Sequence, residues 1–181
     1  DKAVLKYHAK KAHACYTGDL LESVCRDVYI SRNHFGDESD AALPGFPKIL
    51  DRFCDFGPLG GMLSAFCHSP EASWFVLACD LPYIDQKLLE HIVQQRDPLR
   101  MATAYKSADG QLPEPMCAIY EPKIRGRLFD SLKMNRLCPR KILIQSSTKL
   151  LEPLSEQALY NANQVHEYEQ ALDHLAKGLT F

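Results

Sequence analysis

The chain has 181 residues, a net charge of −2 and 46% hydrophobic residues, enough to bury a real core as one domain without staples. The mixed, nearly balanced charge leaves no polyanion-binding footprint, which argues against nucleic acid as the main partner. No apolar run approaches membrane-spanning length and no signal peptide is visible, so no membrane role is expected. The seven cysteines form no C-x-x-C pair, and several lie in apolar runs where cysteine behaves as a small hydrophobe. That usage suits a reducing, cytoplasmic setting better than a disulfide framework or a zinc site. The chain starts at Asp1-Lys2 without a methionine and reads as one domain, 1–181, that is N-terminally incomplete.

In chain order, Ala3-Val4-Leu5 is a candidate short element within a basic, semi-apolar opening. His8, His13 and Cys15 fall close together. Their spacing matches no common zinc pattern, and incidental surface histidines account for them better. Thr17 to Cys25 predicts a helix with Leu20, Leu21, Val24 and Cys25 on one face. Asp27 to Ser31 predicts a strand, and this alternation is that of an α/β fold. Arg32 to Pro47 is a polar surface loop carrying Gly36, Pro44, Gly45 and Pro47. Lys48-Ile49-Leu50 is a short strand ending on a carboxylate, Asp51.

Gly57-Pro58-Leu59-Gly60-Gly61 then precedes a helix whose apolar residues run through Phe66 and Cys67. Glycines let a ligand approach the backbone, and a helix start presents N–H groups, so a nucleotide could use both. A tight strand-to-helix turn would need the same residues; the stretch is neither a Walker A loop nor a G-x-G-x-x-G fingerprint.

The most informative run is Trp74-Phe75-Val76-Leu77-Ala78-Cys79, closed by Asp80-Leu81-Pro82. An uninterrupted apolar run of this length predicts a strand buried on both faces, hence a parallel sheet covered by helices. Ligands in open α/β sheets sit at strand carboxyl ends, and Asp80 there could hold a hard cation such as Mg²⁺. It could equally cap the following turn.

Asp85 to Gln95 predicts an amphipathic helix with Leu88, Leu89, Ile92 and Val93 inward. Met101 to Tyr105 predicts a strand, followed by a turn at Ser107 to Gly110. Leu112 to Tyr120 reads as an extended arm entering another strand, with Pro113 and Pro115 marking a bend rather than a sheet interior. Ile124 to Leu132 predicts a helix. Arg136, Arg140 and Lys141 form a basic connection, either a phosphate holder or, more commonly, a solvated face. Lys141 to Gln145 reads as a short strand. Asn163 is a good N-cap for a last helix, Gln164 to Ala176.

Together G-P-L-G-G-M-L-S-A, A-C-D-L-P-Y-I-D, L-P-E-P-M-C-A-I-Y and N-A-N-Q-V-H-E-Y resemble the molybdenum cofactor guanylyltransferases, in order over nearly the whole chain. The resemblance implies a three-layer, GT-A-like (Rossmann-like) α/β nucleotidyltransferase fold, a mostly parallel twisted sheet with helices on both faces. It implies transfer of GMP from GTP to molybdopterin with Mg²⁺ and release of pyrophosphate, and transient contact with other cofactor-biosynthesis proteins.

The family's opening signature, an L-x-G-G-x-S-x-R-M-G loop around the nucleotide phosphates, would lie upstream of Asp1. Lys2 matches its closing lysine, which would steady the triphosphate and the charge developing on transfer. Asp51 matches a nucleotide-contacting carboxylate, the Gly60-Gly61 turn a part of the nucleotide site, and Asp80 the Mg²⁺ ligand and catalytic carboxylate. Asn163 matches a polar residue near the active site and is the second metal-site candidate. Ser31 stands where some relatives carry Asn. Two other readings stay open: a CTP-dependent cytidylyltransferase or another nucleotidyltransferase of this fold, and a non-catalytic relative that binds a nucleotide or a partner.

Overall fold

The computed structural model describes residues 12–32, 45–107, 111–155, 157–162 and 165–176. Lys2, the Ala3-Val4-Leu5 stretch, His8, most of the Arg32 to Pro47 loop, the tip of the Ser107 to Gly110 turn and Asn163 lie outside the described residues.

Helix α1 (His13–Glu22) begins four residues before Thr17. Strands β1 (Ile30–Arg32) and β2 (Lys48–Leu50) pair in parallel, Ser31 opposite Ile49. Helix α2 (Pro58–His68) has Pro58 in its first turn, where the missing N–H costs nothing. Strand β3 (Trp74–Leu77) leads to α3 (Gln86–Gln94), whose N-cap Asp85 accepts the Leu88 N–H at 2.8 Å. Then come β4 (Ala102–Lys106), β5 (Pro113–Tyr120), a 3₁₀ turn at Pro122–Ile124, α4 (Arg125–Lys133), α5 (Pro139–Ile144), β6 (Thr148–Leu151) and α6 (Val165–Ala176).

The larger sheet has the order β3-β5-β4-β6. Strands β4 and β6 are parallel, and β5 runs against both of its neighbours, so β3, β4 and β6 share one direction. The architecture is the expected α/β one, helices on both faces of a mixed sheet. Residues of β4 and β5 alternate between the two faces, as a pleat of period two requires. Ala102, Ala104, Ala118 and Tyr120 pack with Leu59, Met62, Leu63 and Phe66 of α2 and with α4 and α5. Tyr105, Cys117 and Ile119 pack on the other face with Leu88, Leu89 and Ile92 of α3, with Leu20 and Leu21 of α1 and with Val24 just beyond it.

Three local expectations are corrected. The four residues of β3 are each only partly buried, and their partner strand β5 is antiparallel. Apolar run length cannot tell a two-sided core strand from one that stands at a sheet edge. Pro113 and Pro115 belong to β5 rather than to a bend before it. The β4–β5 register shifts between Ala104 and Lys106, so these prolines fall where the regular ladder is already interrupted. The run Lys141 to Gln145 is not a strand but most of α5, which Pro139 starts; Ile142 and Leu143 face inward and Ile144 is exposed. The strand follows as β6, at Thr148, where none was anticipated.

Among the described residues no ladder joins β1–β2 to the larger sheet: β1 pairs with β2, and β3 with β5. Side chains bridge the two instead. Tyr29, His68 and Trp74 make edge-on ring contacts at centroid distances of 5.0, 5.8 and 6.5 Å. A cavity of about 510 Å³ opens beside them, lined among others by Asp27, Val28 and Tyr29 on one side and Ser73, Trp74 and Phe75 on the other.

Candidate active site

The turn after β3 is held at several points. The Ala78 N–H still donates to Met116 O at 2.8 Å, and then the chain leaves the ladder. Asp80 is partly exposed, whereas Leu81 and Pro82 are buried. The Asp80 carbonyl accepts the Ala162 N–H at 2.9 Å. The next carbonyl, of Leu81, lies 3.1 Å from His13 Nε2. A carbonyl can only accept, so the proton of that hydrogen bond sits on Nε2. Pro82 restricts Leu81 to extended backbone. The Asp80 carboxylate is thus carried at a strand's carboxyl end by a fixed backbone.

Asp51 sits in a second cluster, at the carboxyl end of β2. Its Oδ1 accepts the Phe53 N–H at 2.8 Å and lies 3.0 Å from the Ser64 hydroxyl. Ser64 Oγ in turn lies 2.8 Å from Gly60 O and accepts the Arg52 N–H at 2.9 Å. The Asp51 N–H donates to Arg32 O at 2.7 Å. Asp51 is 7% exposed, and its carboxylate joins β2 to α2 through Ser64 and lies close against Gly60 in the helix's first turn. An anion beside that turn also suits the helix dipole.

The glycines serve this junction. A Cβ on Gly60 would stand 2.3 Å from Phe53 O and 2.9 Å from Asp51 Oδ2; one on Gly61 would stand 2.7 Å from Ser31 Oγ. Gly57, at φ +55°, occupies backbone space that favours glycine. Close helix–strand packing therefore accounts for Gly60 and Gly61 in the structure.

Asp51, Gly60, Gly61 and Ser31 are brought together, and Asp80 stands in a separate turn beside Ala162 and His13. Cys15 of α1, Ile30 of β1 and Cys79 pack in one apolar cluster, which links the two. The sequence reading of His13 as a surface residue is corrected: it is fully buried. Its partner lies 68 residues away, and no local pattern could have named it. Glu114 was also missed as a buried group. It is 3% exposed, accepts the Met116 N–H at 3.0 Å and pairs with Arg140 Nη2 at 3.1 Å, so Arg140 has a protein carboxylate as partner.

Among the described residues no group of three or more His, Cys, Asp and Glu side chains could hold a metal. A soft or fully protein-ligated metal is not what this donor set fits. A partly exposed carboxylate such as that of Asp80 fits Mg²⁺, which keeps waters and takes substrate phosphate oxygens for its other positions. No described helix is long and apolar enough to cross a membrane.

A mixed α/β sheet with a carboxylate turn and a glycine-rich helix start beyond its strands defines a protein of the open α/β class, whose ligands sit at strand carboxyl ends. Residues 1–150 match the family described as the MobA-like NTP transferase domain, and the chain belongs to that family. It is 31% identical over 170 residues to a molybdenum cofactor biosynthesis bifunctional protein of Synechocystis sp., covering 94% of this chain and 48% of that protein. It is 27% identical over 106 residues to a protein of Flavobacterium johnsoniae named "Probable molybdenum cofactor guanylyltransferase", covering 59% of this chain and 55% of that protein. The chain thus spans about half the length of these two relatives. The crystal structure of molybdopterin-guanine dinucleotide biosynthesis protein A from Archaeoglobus fulgidus has the same fold. It matches at a TM-score of 0.73 over 97% of this chain and 91% of that one, at 17% identity.

Proposed function

We propose that this chain is the catalytic domain of a guanylyltransferase that transfers GMP from GTP to molybdopterin and releases pyrophosphate. The observation that carries the reading is Asp80: a partly exposed carboxylate at the carboxyl end of β3, its backbone gripped by Ala162 and by His13. Family membership and the names of the relatives support the choice of substrates.

In this reading the terminal phosphate of molybdopterin attacks the α-phosphorus of GTP, and pyrophosphate departs on the opposite side. The attacking phosphate is already ionised, so the chain needs no general base and works by positioning and charge compensation. Asp80, with Asn163 as the second candidate, would hold Mg²⁺, which supplies charge neutralisation at the α-phosphate and the leaving group. Lys2 would steady the triphosphate. Gly60 and Gly61 would form part of the nucleotide-pocket wall, with Asp51 beneath them fixing the wall and meeting the nucleotide at its edge. Molybdopterin would lie toward the Pro113-Glu114-Pro115 end of β5, where Glu114 orients Arg140. The protein would act in the cytoplasm.

The test is a competition assay with GTP and CTP, molybdopterin and Mg²⁺, using the protein in its full length. GTP should be preferred and pyrophosphate released in equal amount with the dinucleotide. A clear CTP preference would make this a cytidylyltransferase, and nucleotide binding without transfer would support a non-catalytic relative.

A further inference from the structure

We propose that His13 is a positioning residue for Asp80, holding the turn that presents the metal ligand; this rests on the guanylyltransferase reading above. His13 is the first residue of α1 and is fully buried, and its Nε2 donates across the core to the Leu81 carbonyl at 3.1 Å. The Thr17 hydroxyl donates to His13 O at 3.1 Å and steadies the helix turn from which the imidazole projects. On the Asp80 side, the Ala162 N–H binds the preceding carbonyl at 2.9 Å.

Two successive carbonyls, of Asp80 and Leu81, are therefore held by two distant segments. Between them lie the rotations at Leu81 that set the Asp80 peptide plane, and Pro82 narrows those rotations further. Releasing the Leu81 carbonyl leaves the turn behind Asp80 held at one carbonyl, by Ala162, instead of two, and widens the range of orientations open to the Asp80 carboxylate. An apolar side chain at position 13 could not satisfy that carbonyl. Groups that orient a metal ligand from behind change metal affinity or activity by about 10–100-fold when removed.

The test compares three variants in the protein. His13→Gln places an amide N–H at nearly the reach of Nε2, His13→Asn falls one methylene short, and His13→Leu has no donor. Mn²⁺ binding in the presence of GTP, followed by solvent-proton relaxation, gives a readout independent of turnover. The Mg²⁺ concentration for half-maximal transfer gives a second, and thermal melts monitor folding. The Asn and Leu variants should weaken Mn²⁺ binding and raise the Mg²⁺ requirement by roughly 10–100-fold, with Gln near wild type.

If His13→Leu does not fold, the Gln and Asn pair decides. Mn²⁺ binding by His13→Asn as tight as in wild type overturns the inference, and so does an equal loss in Gln and Asn. Asp80→Asn is the reference. If it loses Mn²⁺ while His13→Asn keeps it, the inference alone falls. If Asp80→Asn binds Mn²⁺ as wild type does, Asp80 is no ligand and the metal assignment falls with it.

Discussion

Gly60 and Asp51 meet with no room for a methyl group between them: a Cβ on Gly60 would lie 2.9 Å from Asp51 Oδ2. It would also lie 2.3 Å from the backbone carbonyl of Phe53, which cannot rotate away. The neighbouring clash differs in kind. At Gly61 the obstacle is the hydroxyl of Ser31 at 2.7 Å, the end of a side chain that can take another rotamer.

Gly60→Ala is therefore expected to destabilise the protein by about 1–3 kcal/mol, the cost of overpacking a rigid neighbour. Gly61→Ala should cost clearly less. Urea unfolding of both variants checks the order, and equal losses would mean that the backbone around Phe53 yields.

Asp80→Asn should leave the melting temperature within a few degrees of wild type and reduce GMP transfer by roughly 100-fold or more, since a neutral amide is a poor Mg²⁺ ligand. Transfer rates and thermal melts on the same preparation separate the two effects. Near-normal turnover would remove Asp80 from the metal site.

The carboxyl of Glu121 is raised by burial, but hydrogen bonds from Arg96 and Ser73 and the charges of Arg96 and Lys123 outweigh this and hold it below its ordinary pKa. Its oxygens lie 2.7 and 2.9 Å from the Arg96 guanidinium and 2.6 Å from the Ser73 hydroxyl. A depressed folded pKa stabilises above the unfolded value of ~4.3 and is lost as pH falls through the folded one. Glu121→Gln should thus lose about 1–3 kcal/mol near neutral pH, less than a fully buried pair because Arg96 is partly in water. Its stability should also fall less steeply than that of wild type below about pH 4. Denaturant midpoints from pH 3 to 7 test both; parallel curves would remove the ion pair from the acid response.

The α/β class, α2 and α3, the strand ending at Asp51 and the carboxylate closing the β3 run were legible in the residues themselves, because each depends on local features: apolar periodicity, a proline in a helix's first turn, an aspartate after a strand. Short apolar runs were not. Ile142-Leu143-Ile144 suits a strand or a helix equally, and what chooses α5 is Pro139 together with the face that Leu143 buries against the α2 side of the sheet. Likewise nothing near Trp74 states that β5 comes back antiparallel beside it. That is set by which partner edge the chain meets after passing through α3 and β4. The site divides the same way. Asp51, Gly60, Gly61 and Asp80 stand out as residue types in a pattern, but tertiary structure alone makes Asp51 and Gly60 a packed junction and puts His13 behind Leu81. Those relationships join residues far apart in sequence, and burial and hydrogen-bond satisfaction can select them only once the chain has folded.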